Sequence, residues 1–108
     1  MAITVNLYYT GVNGNALKFA EEMEKSGTAD AIRAEDGNLC YQYFQPLNDP
    51  ESVILIDSWR DQEAIDAHHA SSMMGTIAML REKYDLHMRA DRFVSLDNPK
   101  SDDVFLRK

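Results

Sequence analysis

Cysteine is nearly absent. Cys40 is the only one in 108 residues, which excludes an internal disulfide and a thiolate metal site. Long apolar runs are missing too; none approaches the roughly 20 residues of a membrane-spanning helix. Positive charge is scarce: 11 Lys and Arg stand against 18 Asp and Glu, a formal net charge of -7. With no strongly basic stretch, neither nucleic acid nor an anionic membrane surface is an expected partner. The N-terminal Met1-Ala2-Ile3-Thr4-Val5 has no basic or apolar region of the signal-peptide kind, so the expected compartment is the cytoplasm. Gly11-Val12-Asn13-Gly14 is too short and wrongly spaced for a dinucleotide loop, and no serine-nucleophile or phosphate-loop motif occurs. Adjacent His68 and His69 would point about 100° apart on a helix, which does not suit one metal. No metal and no cofactor are expected.

What is present suits one small domain. A chain of this length buries roughly two-thirds of its unfolded surface, enough for one core. Ile3, Val5, Leu7 and Tyr9 alternate with Thr4, Asn6 and Tyr8, the pattern of a strand. A helix follows from about Asn15, with Leu17, Ala20 and Met23 on its apolar stripe and Phe19 beside it. Ser26-Gly27-Thr28 interrupts it, and residues 29–34 form a second short helix. Leu39 to Gln45 and Ser52 to Trp59 read as a strand pair around the Pro46–Pro50 loop. The apolar run from Val53 to Ile56 implies burial on both faces. Asp61 is a suitable N-cap for a helix whose inward stripe is Ala64, Ile65 and His68. Ser71 or Ser72 caps the next, striped by Met73, Ile77, Leu80 and Tyr84, and a final strand runs over residues 87–96.

The order strand, helix, strand, strand, helix, strand is the split βαβ, or ferredoxin-like, plan: an α+β fold with an antiparallel sheet and helices on one face. Domain 1–96 is followed by a tail, 97–108, in which Val104, Phe105 and Leu106 make an apolar plug expected to dock. Helices cover one face of such a sheet, yet Tyr8, Phe44, Ile54 and Ile56 make the other face apolar as well. A second copy of the chain is the simplest cover.

The run Trp59-Arg60-Asp61-Gln62-Glu63-Ala64-Ile65-Asp66-Ala67-His68 resembles the signature of the antibiotic biosynthesis monooxygenase family. Glu35-Asp36-Gly37, with Tyr41 beyond, is similar to that family's Glu-x-Gly-x-x-x-Tyr pattern before the second strand. The resemblance spans about residues 3–96. It implies a dimeric α+β barrel: a homodimer packed sheet on sheet, with a pocket in each subunit between sheet and helices. Family branches oxygenate phenols and quinols without a cofactor, degrade haem, or isomerise a signalling sugar, so the fold does not fix the reaction. Many members carry Ser-Pro-His where this chain has Ser71-Ser72-Met73. Haem-degrading members use an Asn, a Trp and a His. Asn6 suits the first role, but His68 and Ala78 stand in the places of the other two, which counts against haem.

The resemblance makes His68 the candidate base, since an imidazole exchanges protons near neutral pH; a buried histidine held by a backbone carbonyl is the structural alternative. Trp59 is a platform for a flat aromatic ring or simply core. Asn6 and Tyr41 are candidate orienters of substrate oxygens, or sheet packing. Met73 is a candidate pocket lining or helix packing. Cys40, with no basic neighbour, is expected to be buried and inert. The implied function is a cofactor-independent monooxygenase acting with O2 on a small electron-rich aromatic of the quinol or phenol type. A non-catalytic small-molecule-binding or stress-response dimer and an isomerase of a small carbonyl compound are the alternatives.

Overall fold

The computed structural model describes residues 1–108. Its elements are β1 (Ile3–Thr10), α1 (Asn15–Lys25), α2 (Thr28–Arg33), β2 (Asn38–Phe44), β3 (Ser52–Trp59), α3 (Gln62–His69), α4 (Met73–Lys83) and β4 (His87–Val94). A 3-10 helix (Lys100–Phe105) lies in the tail. The four strands form one antiparallel sheet in the order β2-β3-β1-β4, the α+β ferredoxin-like arrangement. No helix is long and apolar enough to cross a membrane.

Period-two alternation sorts the sheet into two faces. Val53, Leu55, Asp57 and Trp59 of β3 point under the helices and are buried, while Ser52, Ile54, Ile56 and Ser58 on the other face are only half-buried. The apolar run of β3 is therefore covered on one face within a single chain, not on both. One core runs beneath all four helices, and its aromatic packing lies under α1 and α2. Tyr9 and Phe19 pack with ring centroids 5.0 Å apart, and Tyr43 meets Phe19 edge-on at 6.2 Å. Arg33 ties α2 to the sheet: its Nε donates to the carbonyl of Tyr41 at 2.8 Å, and its other nitrogens pair with Glu24 and Asp30.

Four expectations are corrected in detail. On α1 the buried stripe is Ala16, Phe19, Ala20 and Met23, whereas Leu17 is 41% exposed. The stripe centres on Phe19, because that ring fills the space against Tyr9. Leu39 is 59% exposed because β2 slips register between Asn38 and Cys40; such a bulge turns one residue out of the alternation. Cys40 is half-buried, with its Sγ 3.7 Å from the carbonyl of Ile56. The apolar plug of the tail does not dock within the chain: Val104 and Phe105 are 81% and 83% exposed.

Candidate active site

The turn after α2 brings Glu35 to α3. Gly37 adopts a left-handed backbone, φ 83°, and a Cβ there would come within 2.6 Å of Ala64 Cβ. Only glycine allows this approach. The Gly37 carbonyl accepts from the N–H of Arg60 at 2.8 Å, fixing the turn against the end of β3. Asp61 then caps α3, its carboxylate accepting from the Ala64 N–H at 2.9 Å. The capped helix lays His68 across the indole of Trp59, ring centroids 4.8 Å apart and 27° from parallel. His68 Nδ1 stands 2.8 Å from Glu35 Oε1. A carboxylate accepts, so the proton sits on Nδ1 and the ring orientation is fixed.

On its other side the indole N–H of Trp59 donates to Asp57 Oδ1. Glu35, His68, Trp59 and Asp57 thus form one continuous stack from the α2 turn to the sheet. His68 and Asp57 are 4% and 7% exposed. Burial pushes the Asp57 carboxyl up to about 6; the Trp59 hydrogen bond and the nearby His68 pull it down, and Glu35 raises it.

Asp57 and Trp59 border a cavity of about 310 Å³ between the sheet and helices α3 and α4. Val5, Leu7 and Ala90 form its sheet floor, and Ile65 and Met74 its helical wall. The polar groups at its boundary are Asp57, His69, Arg81 and Arg92. Arg81 reaches in from the last turn of α4 and donates to the Tyr9 hydroxyl from Nη2 at 2.8 Å and from Nε at 3.2 Å. Arg92, on β4, donates to the side-chain carbonyl of Gln62. No three His, Cys, Asp or Glu side chains converge as a metal-ligand set.

Of the expected site residues, Trp59 lines this cavity, and His68 touches it only through Trp59. The neighbouring histidine, His69, is the one on the wall, because successive helical residues diverge by about 100°. Met73 likewise packs against the core, and Met74 takes the wall position. Tyr41 is buried on β2 directly opposite Asp57 but outside the cavity lining, its hydroxyl 3.2 Å from that of Tyr43. Asn6 lies on the uncovered face of the sheet; its Nδ2 donates to the Tyr8 hydroxyl at 3.4 Å, and its buried Oδ1 has no partner. Sequence reasoning missed Asp57, Arg81 and Arg92. Asp57 carried a legible signal, an acid in phase with Val53, Leu55 and Trp59 on the inward face of β3.

The chain resembles several solved structures. PA3566 from Pseudomonas aeruginosa is 24% identical, over 89% of this chain and 95% of that one, with a TM-score of 0.75. A conserved protein from Methanosarcina mazei Go1 is 23% identical, over 86% and 91%, with a TM-score of 0.72. SnoaB from Streptomyces nogalater, a cofactor-independent oxygenase, is 16% identical, over 92% and 97%, with a TM-score of 0.75. These likenesses show a shared fold. No curated protein matches in sequence. A family model described as antibiotic biosynthesis monooxygenase matches residues 2–78, and the chain, with its Trp59–His68 stack beside a partly open cavity, belongs to that family.

Proposed function

We propose that the protein is a cofactor-independent monooxygenase that oxidises a small electron-rich aromatic of the quinol or phenol type with O2. The observation that carries this reading is Asp57: a buried carboxylate at the wall of a mostly apolar cavity, bonded to an aromatic platform, with its pKa raised to about 6. A base poised there is still ionised at neutral pH but holds a proton more strongly than an ordinary carboxylate. The similarity in fold to SnoaB supports the same reaction class.

In this reading Asp57 takes a proton from a hydroxyl or an activated C–H of the substrate. The resulting anion gives one electron to O2, and superoxide and the substrate radical couple to form a C–O bond. The peroxide takes a proton, loses water and leaves a carbonyl. One oxygen atom enters the product and the other leaves as water. Trp59 supports the ring, and the apolar wall keeps water from the anion. Asp57 rather than His68 is the base, because Asp57 borders the cavity and His68 stands behind the indole. His68 and Glu35 are positioning residues for Trp59.

The working unit in this proposal is a homodimer packed through the uncovered sheet face, where Ile54, Ile56 and Tyr8 are half-buried and Phe44 and Phe93 exposed. The interface should bury more than roughly 1,200 Å² in total. Oxygen uptake with a panel of hydroquinones and anthrones tests the reaction. Uptake abolished in Asp57→Asn supports it. Turnover without uptake would indicate an isomerase, and binding without turnover a ligand-binding dimer.

A further inference from the structure

Carboxylates outnumber cationic side chains in this protein, 18 to 11, so an arginine without a carboxylate partner is conspicuous. The two arginines on the cavity, Arg81 and Arg92, take part in none of the ion pairs of the fold. Of the arginines elsewhere, Arg33, Arg60 and Arg89 are paired with acids, and only Arg107, in the exposed tail, is not. Arg81 is the more enclosed of the cavity pair; Arg92 is exposed at the edge.

Arg81 is held without being neutralised. Its Nε and one proton of Nη2 go to the Tyr9 hydroxyl, and its guanidinium lies over the Tyr9 ring, 5.5 Å from the centroid. Tyr9 is buried, and desolvation raises its pKa despite the arginine, so it stays a neutral phenol. Nη1 and the second proton of Nη2 have no protein acceptor. That free edge is the fork that engages a carboxylate through two parallel hydrogen bonds. Asp57 does not supply the acceptor, since it pairs with neither arginine and is bonded to Trp59.

We propose that Arg81 is an anion subsite, and that the aromatic held in this cavity carries a carboxylate bound by its free edge. The inference rests on the aromatic-substrate reading above and narrows it to hydroxyaromatic acids. An engineered cavity of about 150 Å³ admits benzene, so one of about 310 Å³ accommodates one or two rings with an acid group. Tyr9, by fixing Nε, sets the direction in which the fork points. Arg92, bound to Gln62, adds positive potential at the mouth.

Two matched pairs of probes test this: 4-hydroxybenzoate against 4-hydroxybenzamide, and 6-hydroxy-2-naphthoate against its carboxamide. Binding to the full chain is measured by calorimetry with air excluded, so that no turnover occurs. Quenching of Trp59, the only tryptophan, places the ligand in the cavity. The acid is expected to bind at least about 10-fold more tightly than the amide, as a charge-assisted pair allows. Arg81→Gln should bring that ratio close to one while leaving amide affinity nearly unchanged. Arg81→Lys should retain part of it, and Arg92→Gln most of it. Equal affinity for acid and amide in the natural protein, no binding of either acid, or a ratio lost in Arg92→Gln but kept in Arg81→Gln would each overturn the assignment. Oxygen uptake is scored separately. Acid selectivity without uptake keeps the subsite and rejects the oxygenase reading; uptake with neutral phenols and no acid selectivity does the reverse.

Discussion

The two halves of the layer between sheet and helices are built differently. Beneath α1 and α2 the space is filled: Ala16, Phe19, Met23, Ala29 and Ile32 are fully buried against Tyr9, Val53 and Leu55. Beneath α3 and α4 it is only partly filled: Trp59, Ile65, Ile77 and Leu80 are buried, but a hollow remains toward β4, which offers Ala90 opposite Leu7 and whose residues are largely exposed. The filled half carries aromatic packing and no free charge. The hollow half carries a buried acid and two unpaired arginines. Packing is complete in the first half, and groups that are costly to bury are collected in the second, where a ligand can meet them.

The sharpest separation of the halves comes from Asp57→Asn. Turnover should fall about 10²- to 10⁴-fold, the usual worth of a positioned base, while the protein becomes more stable at pH 7. The sign follows from the raised pKa. A carboxyl at about 6 in the fold and near 3.8 unfolded contributes stability that is fully present below the lower value and lost as pH rises through the higher one. Removing the charge should therefore restore up to roughly 3 kcal/mol above pH 6, with the gain vanishing near pH 4. Denaturant titrations at both pH values check it; a less stable variant at pH 7 would make Asp57 a structural residue. If the proposed reaction holds, kcat/KM of the natural protein should rise as pH passes 6.

Phe19→Ala should cost about 3–5 kcal/mol, since it empties the filled half. Met74→Ala, on the cavity wall, should cost well under that. Comparable melting temperatures for the two variants would abolish the distinction between the halves.

Adding volume should reverse the contrast. Ala29→Leu, into a site with no exposure, should destabilise by about 1–3 kcal/mol. Ala90→Leu should leave thermal unfolding nearly unchanged and prevent ligand quenching of Trp59. Retained ligand binding in that variant would locate the site outside the hollow half.

His68→Ala should be milder. It removes the partner of Glu35 and the stacking support of Trp59, at about 1–3 kcal/mol, and turnover should fall less than in Asp57→Asn. A loss of turnover at pH 7 as large as that of Asp57→Asn, with stability unchanged, would return the base role to His68.

The smallest effect should come from deleting residues 97–108. Val104 and Phe105 touch no core, so monomer unfolding should not change; in the proposed dimer, docking of the plug on a second copy predicts a weaker association. Light scattering across a dilution series reads this directly.

Much of the fold was legible because each element announces itself locally. Asp61 marks the start of α3, the interval from Ala64 to His68 marks its inward stripe, and alternation marks β1 and β3. Phase was harder. Leu17 looks like core until Phe19 takes the space beside Tyr9, and Leu39 looks like strand interior until the bulge turns it out. The candidate site was legible at Trp59 and at the burial of His68. It was not legible at Arg81 or Arg92, which on one helix and one strand look like ordinary solvated cations.

By itself, then, the sequence determined the element order, the main apolar faces, the Asp61 cap of α3 and the inward place of His68, all set by neighbours a few residues apart. The tertiary structure decided which of two adjacent histidines faces the cavity, that Asp57 is buried beside an indole, and that Arg81 meets a neutral phenol 72 residues away instead of a carboxylate. Burial and charge pairing are properties of the surroundings, and those surroundings exist only once distant strands and helices have packed together.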